Sequence, residues 1–115
     1  MTRDDATECI VLLCAALHVR VPHLDWTGRS RNGRYYTRRL TVQVGPNCWR
    51  GVEAALLHEI AHHVANCRYG DHGHGPTYYR ALCEVISLWY TNPGDYPWCS
   101  EYKSLAHAAG VKKTA

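Results

Sequence analysis

The sequence predicts an α+β domain: an N-terminal helix, a small antiparallel sheet, a long helix and a second helix following it. Three observations carry this expectation. Residues 49–66 place Val52, Leu56, Ile60 and Val64 at a spacing of four, with Ala54, Leu57, Ala61 and Ala65 widening the apolar face. Residues 35–44 alternate as a strand does, with Val42 and Val44 on one parity and Thr41 and Gln43 on the other. At 115 residues, 46% hydrophobic and 20% charged, the chain fits one globular domain with a small core.

Each element has its own warrant. Ala6, Ile10, Leu13 and Leu17 recur at helical spacing across residues 4–18, and Asp4 and Asp5 sit at the positive end of that helix's dipole. Pro22 follows where a break is expected. Residues 23–28 read as a short strand. Asn32-Gly33 is a strong hairpin signal, so the strand over 35–44 is expected to return antiparallel to it. That strand puts Tyr36 and Leu40 on the parity of Val42 and Val44. Gly45-Pro46-Asn47 ends it. Residues 67–75 are a loop rich in Gly, His and Asp, and Pro76 suits the first turn of a helix. Tyr78, Leu82, Val85 and Trp89 carry that helix to about residue 90. A short final helix is expected over 99–109.

The long helix is apolar on most sides and so is expected to be buried. Its polar residues therefore need a reason, and they are His58, Glu59, His62 and His63. His58-Glu59-Ile60-Ala61-His62 is an H-E-x-x-H motif. Residues four apart on a helix lie about 40° apart around its axis, so two imidazoles there converge on one cation. Glu59 is turned about 100° from His58 and flanks such a cation as a base. With eight histidines in the chain, chance supplies this motif only about 0.02 times. The bland reading, two satisfied core histidines, is correspondingly weak. His63 is turned about 100° from His62 and does not readily join the same ion. A third ligand is needed, and the residues alone leave His72, His74 and Glu84 open. His18, His23 and His107 are more distant. His63, His72, Tyr78 and Tyr79 are candidate donors to a developing oxyanion, although each tyrosine equally fits core packing.

"HEIAHH" followed by "HGPTYYRAL" resembles the SprT-like zincin metallopeptidases and the small metallohydrolases of actinobacteria and their phages. In that group the first motif is followed by a histidine in an H-G-x-x-aromatic motif that opens the next helix. Here it reads His74-Gly75-Pro76-Thr77-Tyr78. The resemblance covers roughly residues 35–90. It implies a minimal zincin-like domain over 1–115, His74 as the third ligand, Zn²⁺ as the cofactor, and an edge strand over residues 35–44 that aligns an extended substrate. The expected activity is hydrolysis of a protein or peptide substrate with Glu59 as general base.

The charge pattern offers an alternative. The net charge of +3 is too small to mark a nucleic-acid binder. However, Arg29, Arg31, Arg34, Arg38 and Arg39 fall within one short segment. They read first as a solvated hairpin and second as a DNA-contacting patch. No zinc-ribbon cysteines like those of some SprT-like proteins occur in these 115 residues, so a DNA or regulator-binding role rests on that segment. No C-x-x-C pair occurs among the six cysteines. The acidic N-terminal stretch lacks a cleavage site, and no apolar run is long enough to span a membrane. The expectation is a soluble cytoplasmic protein with free thiols, Cys67 among them, and no membrane partner.

Overall fold

The computed structural model describes residues 1–98, 100 and 101. Three helices and a small three-stranded sheet make an α+β fold, with the elements in the order α1 (Arg3–Leu17), β1 (His23–Trp26), β2 (Arg34–Tyr36), β3 (Thr41–Val44), α2 (Val52–Tyr69) and α3 (Pro76–Trp89). A 3-10 turn follows at Pro93–Asp95. The helix expected over 99–109 lies outside the described residues apart from Ser100 and Glu101.

α1 starts one residue before its expected position because Thr2 and Asp5 form a reciprocal cap. The Asp5 N–H donates to Thr2 Oγ1 (3.1 Å) and the Thr2 N–H donates to the Asp5 carboxylate (2.8 Å), an arrangement that satisfies two otherwise unpaired N–H groups. The cap also holds the Asp5 carboxyl below its usual value, first through the Thr2 backbone bond. Ala6, Cys9, Ile10, Leu13, Cys14 and Leu17 form the buried stripe.

The sheet is mixed, where an antiparallel one was expected. β3 lies between the other two strands, parallel to β1 and antiparallel to β2. Two local causes account for the correction. The run 35–44 is not one strand: residues 37–40 turn, Leu40 takes a positive φ of 47°, and the hairpin forms there. Asn32-Gly33 instead leads the chain into β2 along α2. The turn also reverses a parity. Tyr35 pairs with Val42 and Tyr36 with Thr41, so Tyr35 shares the core face and Tyr36 the other. Arg39 and Arg34 lie over the Tyr36 ring, at 4.2 and 5.4 Å.

α2 runs to Tyr69, three residues past the expected end, and stops at Gly70 in the left-handed conformation (φ 64°). It packs against both other helices and against β2 and β3. Leu56, Leu57, Ile60 and Val64 are fully buried, each contributing up to about 1.5–3 kcal/mol. Glu53, at the start of α2, accepts from Trp89 Nε1 (3.2 Å) and Tyr90 Oη (2.6 Å). These bonds tie the end of α3 to the start of α2, so the two helices run antiparallel and the start of α3 lies beside the histidines. The five described cysteines are free. Among the described residues, no helix is long and apolar enough to cross a membrane.

Candidate metal centre

Helical spacing brings the first two imidazoles together: the His58 and His62 ring centroids are 4.9 Å apart. The third comes from the loop between α2 and α3. Asp71 shapes that loop by accepting from the Gly73 N–H (3.0 Å) and from the Thr77 hydroxyl. Gly75 and Pro76 then open α3, which turns His74 back over α2. His74 Nε2 lies 3.0 Å from His62 Nε2 and 3.3 Å from His58 Nε2. The ligand atoms of all three residues lie within 4.8 Å of one another, close enough to bind one metal ion. Zn–N bonds of about 2.0–2.1 Å in tetrahedral geometry hold nitrogens roughly 3.3 Å apart, so these spacings suit such an ion.

Two of the three rings are held toward the neutral form that ligation requires. Burial, then the neighbouring His58 and His74, push His62 down to about 3. Burial likewise lowers His74, although that ring is more open. His58 is held by a buried carboxylate, since its Nδ1–H donates to Glu101 Oε2 at 2.6 Å. That bond leaves the His58 Nε2 lone pair facing the other two rings. Tyr96 Oη donates to Glu101 Oε1 (2.6 Å) and Tyr78 Oη to Glu101 Oε2 (3.3 Å). Burial, then the Glu101 carboxylate, raise both tyrosines, so both remain neutral donors. The Tyr78 ring also stacks on His62, with centroids 4.3 Å apart. Tyr78 therefore contacts two of the three histidines, its hydroxyl lying 2.7 Å from His58 Nδ1 and its ring against that of His62.

Glu59 flanks the triad in the same cavity of about 440 Å³. It is 4% exposed. Burial pushes its carboxyl up to about 7, His58 opposes the shift, and Glu101 adds to it. Gly33 makes the room: a Cβ there would sit 3.3 Å from Ala55 Cβ and 3.4 Å from Glu59 Cγ, and its φ is +74°. The Asn-Gly pair thus brings the lead-in to β2 close against the carboxylate.

The remaining candidates are spread more widely. His72 lines the cavity and is exposed. Glu84 is paired with Arg68 at 2.6 Å, away from the triad. His63 is fully buried on another side of α2. It accepts from Tyr35 Oη at Nδ1 (2.8 Å) and donates from Nε2 to the Arg20 carbonyl (2.7 Å). Cys67 Sγ lies 3.6 Å from His63 Nε2 and stays with that residue. His18 caps α1 and His23 begins β1, while His107 lies outside the described residues. Arg34 lines the cavity, Arg38 and Arg39 line a neighbouring depression with Tyr36, and Arg29 and Arg31 are exposed in the loop before β2. Sequence reasoning missed Glu101, Tyr96, Arg50 and Trp98. No spacing rule links residue 101 to residue 58. No protein family, curated protein or solved structure matches this chain.

Proposed function

We propose that the chain is a zinc-dependent hydrolase, a metallopeptidase of the SprT-like kind that its two motifs resemble. One observation carries this reading: a buried carboxylate, Glu59, stands in the same cavity as three converging imidazoles. Imidazole donors suit zinc, and three of them leave a fourth position open, as hydrolytic zinc sites do. Zinc bound there would lower the pKa of a coordinated water to about 7 and polarise a carbonyl oxygen.

The protein's own groups do the rest. His58, His62 and His74 would hold the ion, and Glu101 and Tyr78 contact and fix the rings. Glu59 takes the proton of the attacking water on its carboxylate and hands it to the leaving amine nitrogen. His72, exposed at the cavity wall, is the candidate donor to the developing oxyanion.

The test is hydrolysis of unfolded casein by protein of measured zinc content. Glu59→Gln should retain about one equivalent of zinc and lose about 10²–10⁴-fold in rate. His74→Ala should lose the zinc. Cleavage by Glu59→Gln at the wild-type rate would remove the assigned base, and zinc retained at full affinity by His74→Ala would remove the third ligand.

A second reading has an observation of its own. Arg34 and Arg39 flank the Tyr36 ring on the face of the sheet turned away from the core, with Arg38 alongside. Basic groups around an aromatic face suit a nucleic-acid strand. Salt-dependent DNA binding that disappears in an Arg34→Ala/Arg38→Ala/Arg39→Ala variant would support it, whereas binding unchanged by those substitutions would dismiss it.

A further inference from the structure

The cavity has a wall that neither metal binding nor proton transfer uses. Arg50 stands two residues before α2, and its guanidinium carbon lies 3.4 Å from the Trp98 ring centroid and 4.1 Å from that of Trp49. Trp98 in turn stacks on His58, with centroids 4.9 Å apart and planes 26° apart. Trp49 is 66% exposed yet doubly anchored. Its indole N–H donates to Asn32 Oδ1 (2.7 Å) and its backbone N–H to the Arg31 carbonyl (2.9 Å). Arg50 lines the cavity together with the three imidazoles and Glu59.

A guanidinium lying over aromatic rings keeps its in-plane N–H donors for other partners. Among the described residues no carboxylate pairs with Arg50 and none accepts a hydrogen bond from it. Among the described residues Glu59 is the one acidic residue lining that cavity, and it is buried against Gly33. Glu101, in the adjoining depression with Arg50, is engaged by His58, Tyr78 and Tyr96. The ligand that best matches a stacked, unpaired guanidinium is a planar carboxylate held through two parallel hydrogen bonds.

We propose that Arg50, framed by Trp49 and Trp98, determines specificity by binding a carboxylate of the peptide substrate next to the metal centre. That carboxylate is either the peptide's C terminus or an aspartate or glutamate side chain. The assignment rests on the hydrolase reading above and narrows its substrate class to peptides carrying an anion near the cleaved bond.

Binding to zinc-loaded Glu59→Gln protein tests it, read by tryptophan fluorescence and calorimetry. The probes are acetylated hexa-alanine with a free C-terminal carboxylate, the same peptide as its amide, and amides in which one alanine at each position in turn is glutamate or glutamine. An anionic peptide should bind about tenfold or more tightly than its neutral counterpart. The acid-against-amide pair reports a C-terminal source, and the glutamate-against-glutamine pairs report a side-chain source. The preference should vanish in Glu59→Gln/Arg50→Gln at unchanged zinc content, and Arg50→Lys should restore only part of it. Equal binding of anionic and neutral peptides, no binding of any probe, or a preference that survives Arg50→Gln would each overturn the assignment. Selective binding by a wild-type protein that never cleaves would sink the hydrolase reading alone, while cleavage without a carboxylate preference would sink the Arg50 assignment alone.

Discussion

His62 and His63 are adjacent in the chain and lie in opposite environments. His62 faces the cavity and two other imidazoles. Its Nε2 meets His74 at 3.0 Å, and no described carboxylate or carbonyl accepts from it. His63 faces the sheet, and both of its nitrogens are spoken for, by Tyr35 and by the Arg20 carbonyl. Burial lowers the pKa of each ring, so each is a neutral imidazole. What separates them is the partner set: nitrogen lone pairs on one side, a complete donor and acceptor pair on the other. A neutral buried histidine is thus placed where it could bind a metal or where it serves as a strut according to what it faces, and one residue's rotation around a helix suffices to choose.

The sharpest way to break this comparison is to truncate both residues. His62→Ala should weaken zinc binding more than about 100-fold, measured by competition with a chelator, and leave the thermal stability of the metal-free protein close to that of the wild type. His63→Ala should do the opposite. It removes the acceptor of the Tyr35 hydroxyl proton and the donor to the Arg20 carbonyl and opens a hole beside β2, costing about 2–3 kcal/mol in denaturant unfolding, with zinc affinity unchanged. If His63→Ala lost zinc as His62→Ala does, the division between the two would be wrong.

Glu101 sharpens the ligand side. Removing its charge while keeping an acceptor, in Glu101→Gln, should weaken zinc binding by about tenfold, because His58 loses a carboxylate partner and keeps its geometry. An effect as large as that of His62→Ala would make Glu101 a ligand in its own right. The smallest effect belongs to Glu84, the glutamate that the sequence left open as a ligand. Its pairing with Arg68 is partly solvated, so Glu84→Gln should cost under about 1 kcal/mol and leave zinc bound.

Particular residues show where local reasoning stopped. The three helices were legible because helical spacing is a short-range property: α3 begins at Pro76 as expected, and the ends of α1 and α2 shift by one to three residues for reasons visible at Thr2, at Gly51 before α2 and at Gly70 after it. The strand over 35–44 was half legible. Its alternation is present, yet a four-residue turn interrupts it and moves Tyr35, not Tyr36, onto the core face. Asn32-Gly33 carried a correct local signal, a glycine at positive φ, but was assigned the wrong job. A turn signal states a backbone angle and leaves open which strand will pair with which.

The sequence by itself determined the pair of imidazoles one helical turn apart and the carboxylate beside them, while His74 was only what the resemblance implied. The first two follow from the fixed geometry of an α-helix. Tertiary structure alone decided that β1 runs parallel to β3. It also decided that Glu101 reaches back 43 positions to His58, that Trp98 and Trp49 close around Arg50, and that Gly33 gives Glu59 its space. These are contacts between segments distant in the chain. Their partners are selected by packing and by the need to satisfy buried polar groups, and no local pattern encodes that selection.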